Sequence, residues 1–221
     1  MHAAVLTVLL SSAPLLGPAG LPSGWEPLSF AKRATTAYEW SPVERALHAK
    51  ADASASGLIV RFKRPVAETP VLRWRWKVAG TLPEGDERRK SGDDYAARVY
   101  VAFIYDPARA SAGMRFKYGL AKRLRGEYPP HAAINYIWAN KLDAGRSVPN
   151  AYSDRVMMVA VRSGDGEAGS WRAEERDVLA DYRRLFGEEP PPYAGIAVMT
   201  DADDTRGTAE AWYADLTLSA R

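Results

Sequence analysis

Hydrophobic and polar residues alternate with period two along most of this chain. VLRWRWKV (71–78) is the clearest case, placing Leu72, Trp74, Trp76 and Val78 on one face and Arg73, Arg75 and Lys77 on the other. The same alternation marks strands at 46–54 and 57–64, which a Ser-Ala-Ser turn joins as an expected hairpin, and at 95–105, 131–140, 154–164, 194–200 and 209–219. With LSFAK near residue 30, eight or nine strands are expected, separated by turn signals at irregular spacing. Helical periodicity is confined to DVLADYRRLFG (177–187), with Asp177 as N-cap and Gly187 as terminator, and more weakly to 114–124. Strands without regular helical crossovers predict a mainly β fold, an antiparallel β-sandwich of jelly-roll or galactose-binding-like type with one or two short helices.

The first twenty residues break the pattern. MHAAVLTVLLSSAPLLGPAG is apolar, ends in small residues and is too short for a comfortable membrane span. It reads as a leader of the secretory type, although no Lys or Arg precedes the apolar run. The expectation is a leader over 1–20 and a single domain over 21–221, exported to the periplasm or secreted, and monomeric. A buried N-terminal strand or helix is the alternative reading.

Composition narrows the chemistry. The chain has 221 residues, 47% of them hydrophobic, which is enough for one domain with a sizeable core. Thirty basic against 27 acidic side chains are interspersed, so no charge block points to nucleic acid. There is no cysteine, which excludes disulfides, thiolate metal sites and a cysteine nucleophile. The three histidines, His2, His48 and His131, are scattered and lie in no nucleophile or metal motif.

A series of motifs then stands out in order: ADASASGL, LRWRWKV, SGDDYAARVYVAF, INYIWAN, WRAEERDVLADYRRLFG and GIAVMTDADDT. Together, over roughly residues 44–218, they resemble the bacterial family called domain of unknown function 3047. The resemblance implies an extracytoplasmic single-domain sandwich and no particular reaction. Asp204 and Asp177 stand where the family pattern has asparagine, and both keep a short oxygen-bearing side chain.

Four charged constellations carry the candidate chemistry. In SGDDYAAR, Asp93 and Asp94 sit at a loop–strand junction, with Arg98 and Tyr100 on the strand face opposite Val99, Val101 and Phe103. These residues form either an ionic lock or the floor of a ligand site, since Arg offers a rigid fork of donors and Tyr a flat face. Arg73 and Arg75 extend that surface into a cationic groove for uronic or sulfated glycans if their strand neighbours strand 95–105. Otherwise they form a solvated face. Asp201, Asp203 and Asp204 supply oxygen ligands for calcium, or cap an Asx-type turn. Asn135 joins the ligand list as the amide of INYIWAN, whereas Trp74, Trp76 and Trp138 are expected in the core.

The functional expectation is recognition of a carbohydrate or cell-envelope glycan on a sheet face. Two alternatives stay open. One is a polysaccharide-acting enzyme: a lyase with Arg98 or Arg73 neutralising a uronate and Tyr100 as base, or a hydrolase with paired carboxylates. The other is a structural envelope protein with no small ligand.

Overall fold

Residues 14–16, 24–61, 64–108, 110–125 and 128–221 are described in a computed structural model of the chain. The leader expected over 1–20 lies outside them, except that the backbone of Pro14–Leu16 (β1) forms a short strand.

The alternating segments become strands. In chain order these are Trp25–Ser29 (β2), Ala37–Ser41 (β3), Ala46–Asp52 (β4), Ala55–Arg61 (β5), Val71–Val78 (β6), Arg98–Phe103 (β7) and Ala132–Ala139 (β8). They continue as Ser147–Asn150 (β9), Ser153–Ser163 (β10), Arg172–Asp177 (β11), Ala194–Asp201 (β12) and Thr208–Ser219 (β13). The helices are Ala112–Arg125 (α1) and Val178–Phe186 (α2). Asp177 caps α2 by accepting the Ala180 N–H at 2.9 Å, and Gly187 closes it at φ 68°.

Two sheets form a sandwich. The first runs β11-β6-β13-β4-β3, with β1 beside β13; the second runs β2-β5-β12-β7-β8-β10-β9. The pairings are antiparallel except β8 with β10, which the sequence reading did not anticipate.

The hairpin expected from 46–54 and 57–64 does not form. β4 pairs with β3 and β13 in the first sheet, and β5 pairs with β2 and β12 in the second. Between them Ala53 takes a positive φ of 43°, and the Ser54 hydroxyl accepts the Asp52 N–H at 3.1 Å. That corner passes the chain from one layer to the other, because both segments have a core-facing side that must meet from opposite sheets.

The inner faces meet as the alternation predicts. Leu72, Trp74, Trp76 and Val78 from the first sheet and Val99, Val101, Phe103, Ile134, Tyr136 and Trp138 from the second are buried together. Aromatic contacts stitch the layers: Trp74 lies 5.5 Å from Tyr136, and Trp76 lies 5.8 Å from Trp138. Side chains of this size dominate the hydrophobic stabilisation of such a core.

Candidate functional site

The strand faces turned away from this core hold the charged residues in two separate places. On the second sheet, Asp93, Asp94 and Arg98 converge with Asp201 at the start of β7 and the end of β12. The Arg98 guanidinium is buried and pairs with Asp201. Tyr95 and Tyr100 lie 4.7 and 5.6 Å from it by ring centroid. Burial alone would favour the neutral guanidine, but Tyr100, Asp93, Tyr95 and Asp94 outweigh it and hold Arg98 charged. Asp201 also accepts the Tyr95 N–H at 3.2 Å.

The neighbouring acids are equally engaged. Asp94, fully buried, accepts the backbone N–H groups of Asp204 at 3.2 Å and Thr205 at 2.6 Å. Asp93 accepts the Tyr95 hydroxyl at 3.1 Å and the Asn150 amide at 2.9 and 3.0 Å, and burial raises its pKa. Arg33 bridges Asp203 at 2.8 Å and Asp204 at 3.2 Å. Oxygens of Asp94, Asp201 and Asp203 lie within 4.8 Å of one another, whereas Asp204 turns toward Arg33 and Tyr152. Burial, then Asp204 and Asp94, raise the pKa of Asp203.

Tyr100 and Asn135 stand directly opposite each other on β7 and β8, on this same outward face. Asn135 is fully buried; its amide donates to the Met158 sulfur at 3.4 Å, and its Oδ1 has no protein partner.

Arg73 and Arg75 are elsewhere. Their strand, β6, lies in the first sheet and has no pairing with β7, so the continuous groove that adjacency required is not built. They belong instead to a row on the outward face of the first sheet. At its centre Lys77 lies directly across from Trp212 of β13, which is directly across from His48 of β4, which is directly across from Glu39 of β3. Lys77 Nζ sits 4.3 Å from the Trp212 ring and 5.5 Å from Trp171, the residue before β11. His48 stacks on Trp212 at 4.8 Å with planes 7° apart, and Arg75 lies 5.0 Å from Trp171. Both tryptophans are half-buried. Trp212 lies on β13 and Trp171 just ahead of β11, the two neighbours of β6, so the pair brackets Lys77.

Each cation of this face has an acidic neighbour. Lys77 donates to Glu44 at 2.7 Å, and the Trp171 indole donates to the same carboxylate at 3.2 Å. The Lys77 hydrogen bond is the first cause holding Glu44 below its ordinary pKa. Arg73 donates to Glu175 at 2.6 Å and Arg75 to Asp215 at 2.5 Å. His48 reaches Glu210 at 2.7 Å and Glu39 at 3.3 Å. Beside the row a shallow groove of about 440 Å³ is lined by Arg73, Arg75, Glu175, Asp215 and Thr217. It follows a β-bulge in β13 between Ala214 and Thr217, where Asp215 takes φ 51°.

Trp171, Trp212 and His48 were not read from sequence as binding residues. Strand 209–219 carries Trp212 and Tyr213 in succession, and the flanking alanines do not say which ring faces out. The usable signal was the neighbouring acid: Glu210 shares parity with Trp212 and marks the polar face.

The family model described as "Protein of unknown function (DUF3047)" matches residues 23–217. No curated protein matches the chain. Among solved structures it is similar to a family 11 carbohydrate-binding module of the cellulosomal cellulase Lic26A-Cel5E of Clostridium thermocellum, at 8% identity and a TM-score of 0.46, covering 96% of this chain and 95% of that one. It is also similar to the xyloglucanase domain of NopAA, a type three effector from Sinorhizobium fredii, at 6% identity and a TM-score of 0.47, covering 90% and 95%. At these identities and scores nothing of those proteins' ligands or reactions transfers to this chain.

Proposed function

The chain belongs to the DUF3047 family, and from that premise we propose that it is an exported protein that binds an uncharged glycan on the outward face of its first sheet. One observation carries this reading. Two half-buried tryptophans, neither of them in the core, flank Lys77 on an outward sheet face, 4.3 and 5.5 Å from its ammonium. With His48 and Lys77 against Trp212, and Lys77 and Arg75 against Trp171, the part of each ring still open to solvent is the apolar surface a pyranose would meet, and the surrounding carboxylates and guanidinium groups offer acceptors and donors to its hydroxyls.

The charge balance favours a neutral ligand over a uronic or sulfated one. Arg73, Arg75 and Lys77 each already carry an acidic partner, so an incoming anion would have to displace Glu175, Asp215 or Glu44. Affinity electrophoresis and calorimetry against neutral and anionic polysaccharides test the proposal. Neutral glycans are expected to bind, with Trp171→Ala and Trp212→Ala each weakening the interaction by more than about tenfold. Preferential binding of anionic chains, or binding indifferent to both substitutions, would refute it.

Calcium remains a separate proposal. The Asp93, Asp94, Asp201, Asp203 and Asp204 cluster meets only Arg33 and Arg98 among its recorded cationic partners, so an ion shared by Asp94, Asp201 and Asp203 would offset the excess negative charge. Melting in calcium against melting in chelator decides it; coincident curves would count against the ion.

A further inference from the structure

A cleft of about 220 Å³ opens at the other end of the sandwich, where β7 ends and β8 begins, beside the first turn of α1 and the segment after α2. Tyr105 lines it. This side chain is 5% exposed, its ring is stacked on Tyr118 at 4.1 Å and 18°, and its hydroxyl has no protein partner. A buried hydroxyl left unpaired costs stability, and phenylalanine would fill the same stack without that cost. The hydroxyl is closed to solvent, so a partner arriving from the cleft reaches it with a small shift of the lining side chains.

The rest of the lining says what kind of partner fits. Glu188 is fixed by Arg155 at 2.7 Å and the Tyr182 hydroxyl at 3.0 Å, both on Oε1, with Oε2 taking no recorded bond. The same Arg155 nitrogen approaches His131 Nε2 at 2.6 Å, and that ring nitrogen also lies 3.3 Å from Glu188 Oε1, so the imidazole is held between a guanidinium and a carboxylate. Asp106 adds an acceptor and Ser111 a hydroxyl, while Met114 and Pro191 give apolar wall. The carboxylates disfavour an anion. Donors and acceptors around a cleft too small for a drug-sized ligand suit a compact ring whose groups both donate and accept.

We infer that this cleft is a second binding site, separate from the tryptophan face and independent of it, that takes a single uncharged sugar ring with one of its hydroxyls paired to Tyr105. The test uses the full chain and a panel of neutral monosaccharides (glucose, galactose, mannose, xylose and N-acetylglucosamine), followed by saturation-transfer NMR and titration. At least one should bind, Tyr105→Phe should weaken it about tenfold, and Trp212→Ala should leave it unchanged. Because the substitution removes an unpaired hydroxyl, the Tyr105→Phe melting midpoint should stay level or rise.

Three results would overturn the inference: no monosaccharide binding to the wild type, binding unaffected by Tyr105→Phe, or a lowered midpoint in that variant. Failure here with Trp212-dependent polysaccharide binding intact removes the cleft alone. The converse pattern removes only the tryptophan face.

Discussion

Arg98 and Arg75 both point away from the same core, one from each sheet, and both pair with an aspartate. The Arg98 side chain is 4% exposed and the Arg75 side chain 42%. Around Arg98 the polar groups converge inward: Asp201 takes the guanidinium, Tyr95 and Tyr100 flank it, and Asp94 holds the following turn by two amides. Around Arg75 they stay open, with Trp171 on one side and a solvent groove on the other. The same pair of residue types is therefore buried in one place and open to solvent in the other. Burial decides, because a charge taken out of water is costly unless it is fully paired.

The largest expected effect breaks the buried member. Arg98→Ala strands Asp201 without its cation and should cost about 3–5 kcal/mol in urea unfolding. A loss under about 1 kcal/mol would put Arg98 on the footing of a surface pair and erase the contrast. On the open face, Trp212→Ala should weaken glycan binding by about 2 kcal/mol, roughly thirtyfold, with the melting midpoint nearly kept.

A pH series sharpens the buried side. Burial raises the Asp93 pKa, so over the window from its ordinary 3.8 up to the folded value the native state holds a proton that the unfolded chain has released. Its contribution to stability therefore declines as pH rises through that window. Asp93→Asn cannot ionise, so its stability relative to wild type should improve across the same window. Parallel profiles would show Asp93 to be unperturbed. The smallest effect belongs to Arg73→Gln, whose exposed pair with Glu175 should be worth under about 1 kcal/mol.

Much of the fold was legible because period-two alternation is written into each strand independently. Segment 71–78 matches β6 residue for residue, and α2 carries the expected cap and terminator. Pairing was less legible, because it is decided between segments distant in sequence. The 46–54 and 57–64 segments look like a hairpin locally, yet their core faces belong to opposite layers. β11 was hidden because RAEERD has strand-poor composition and gains its place by lying alongside β6.

In the candidate sites, the convergence of Asp93, Asp94 and Arg98 with Asp201 required knowing that β7 and β12 are neighbours. The support beneath them was also invisible. Glu87 is fully buried and accepts the N–H groups of Asn140 at 2.6 Å and Leu142 at 3.1 Å, from a loop that reads as merely polar. Gly85 is required there, since a Cβ would stand 2.2 Å from the Asn140 amide nitrogen.

The order of strands has a consequence for how this chain is made. β12 sits between β5 and β7, and β13 between β4 and β6, so two strands that come late in this fold's chain order are interior strands, one in each sheet. Until they emerge, each layer is two separate fragments with unpaired inner edges, and the long-range pairings that complete it come late. Loss of β13 would separate β11-β6 from β4-β3 instead of trimming a rim of the first sheet.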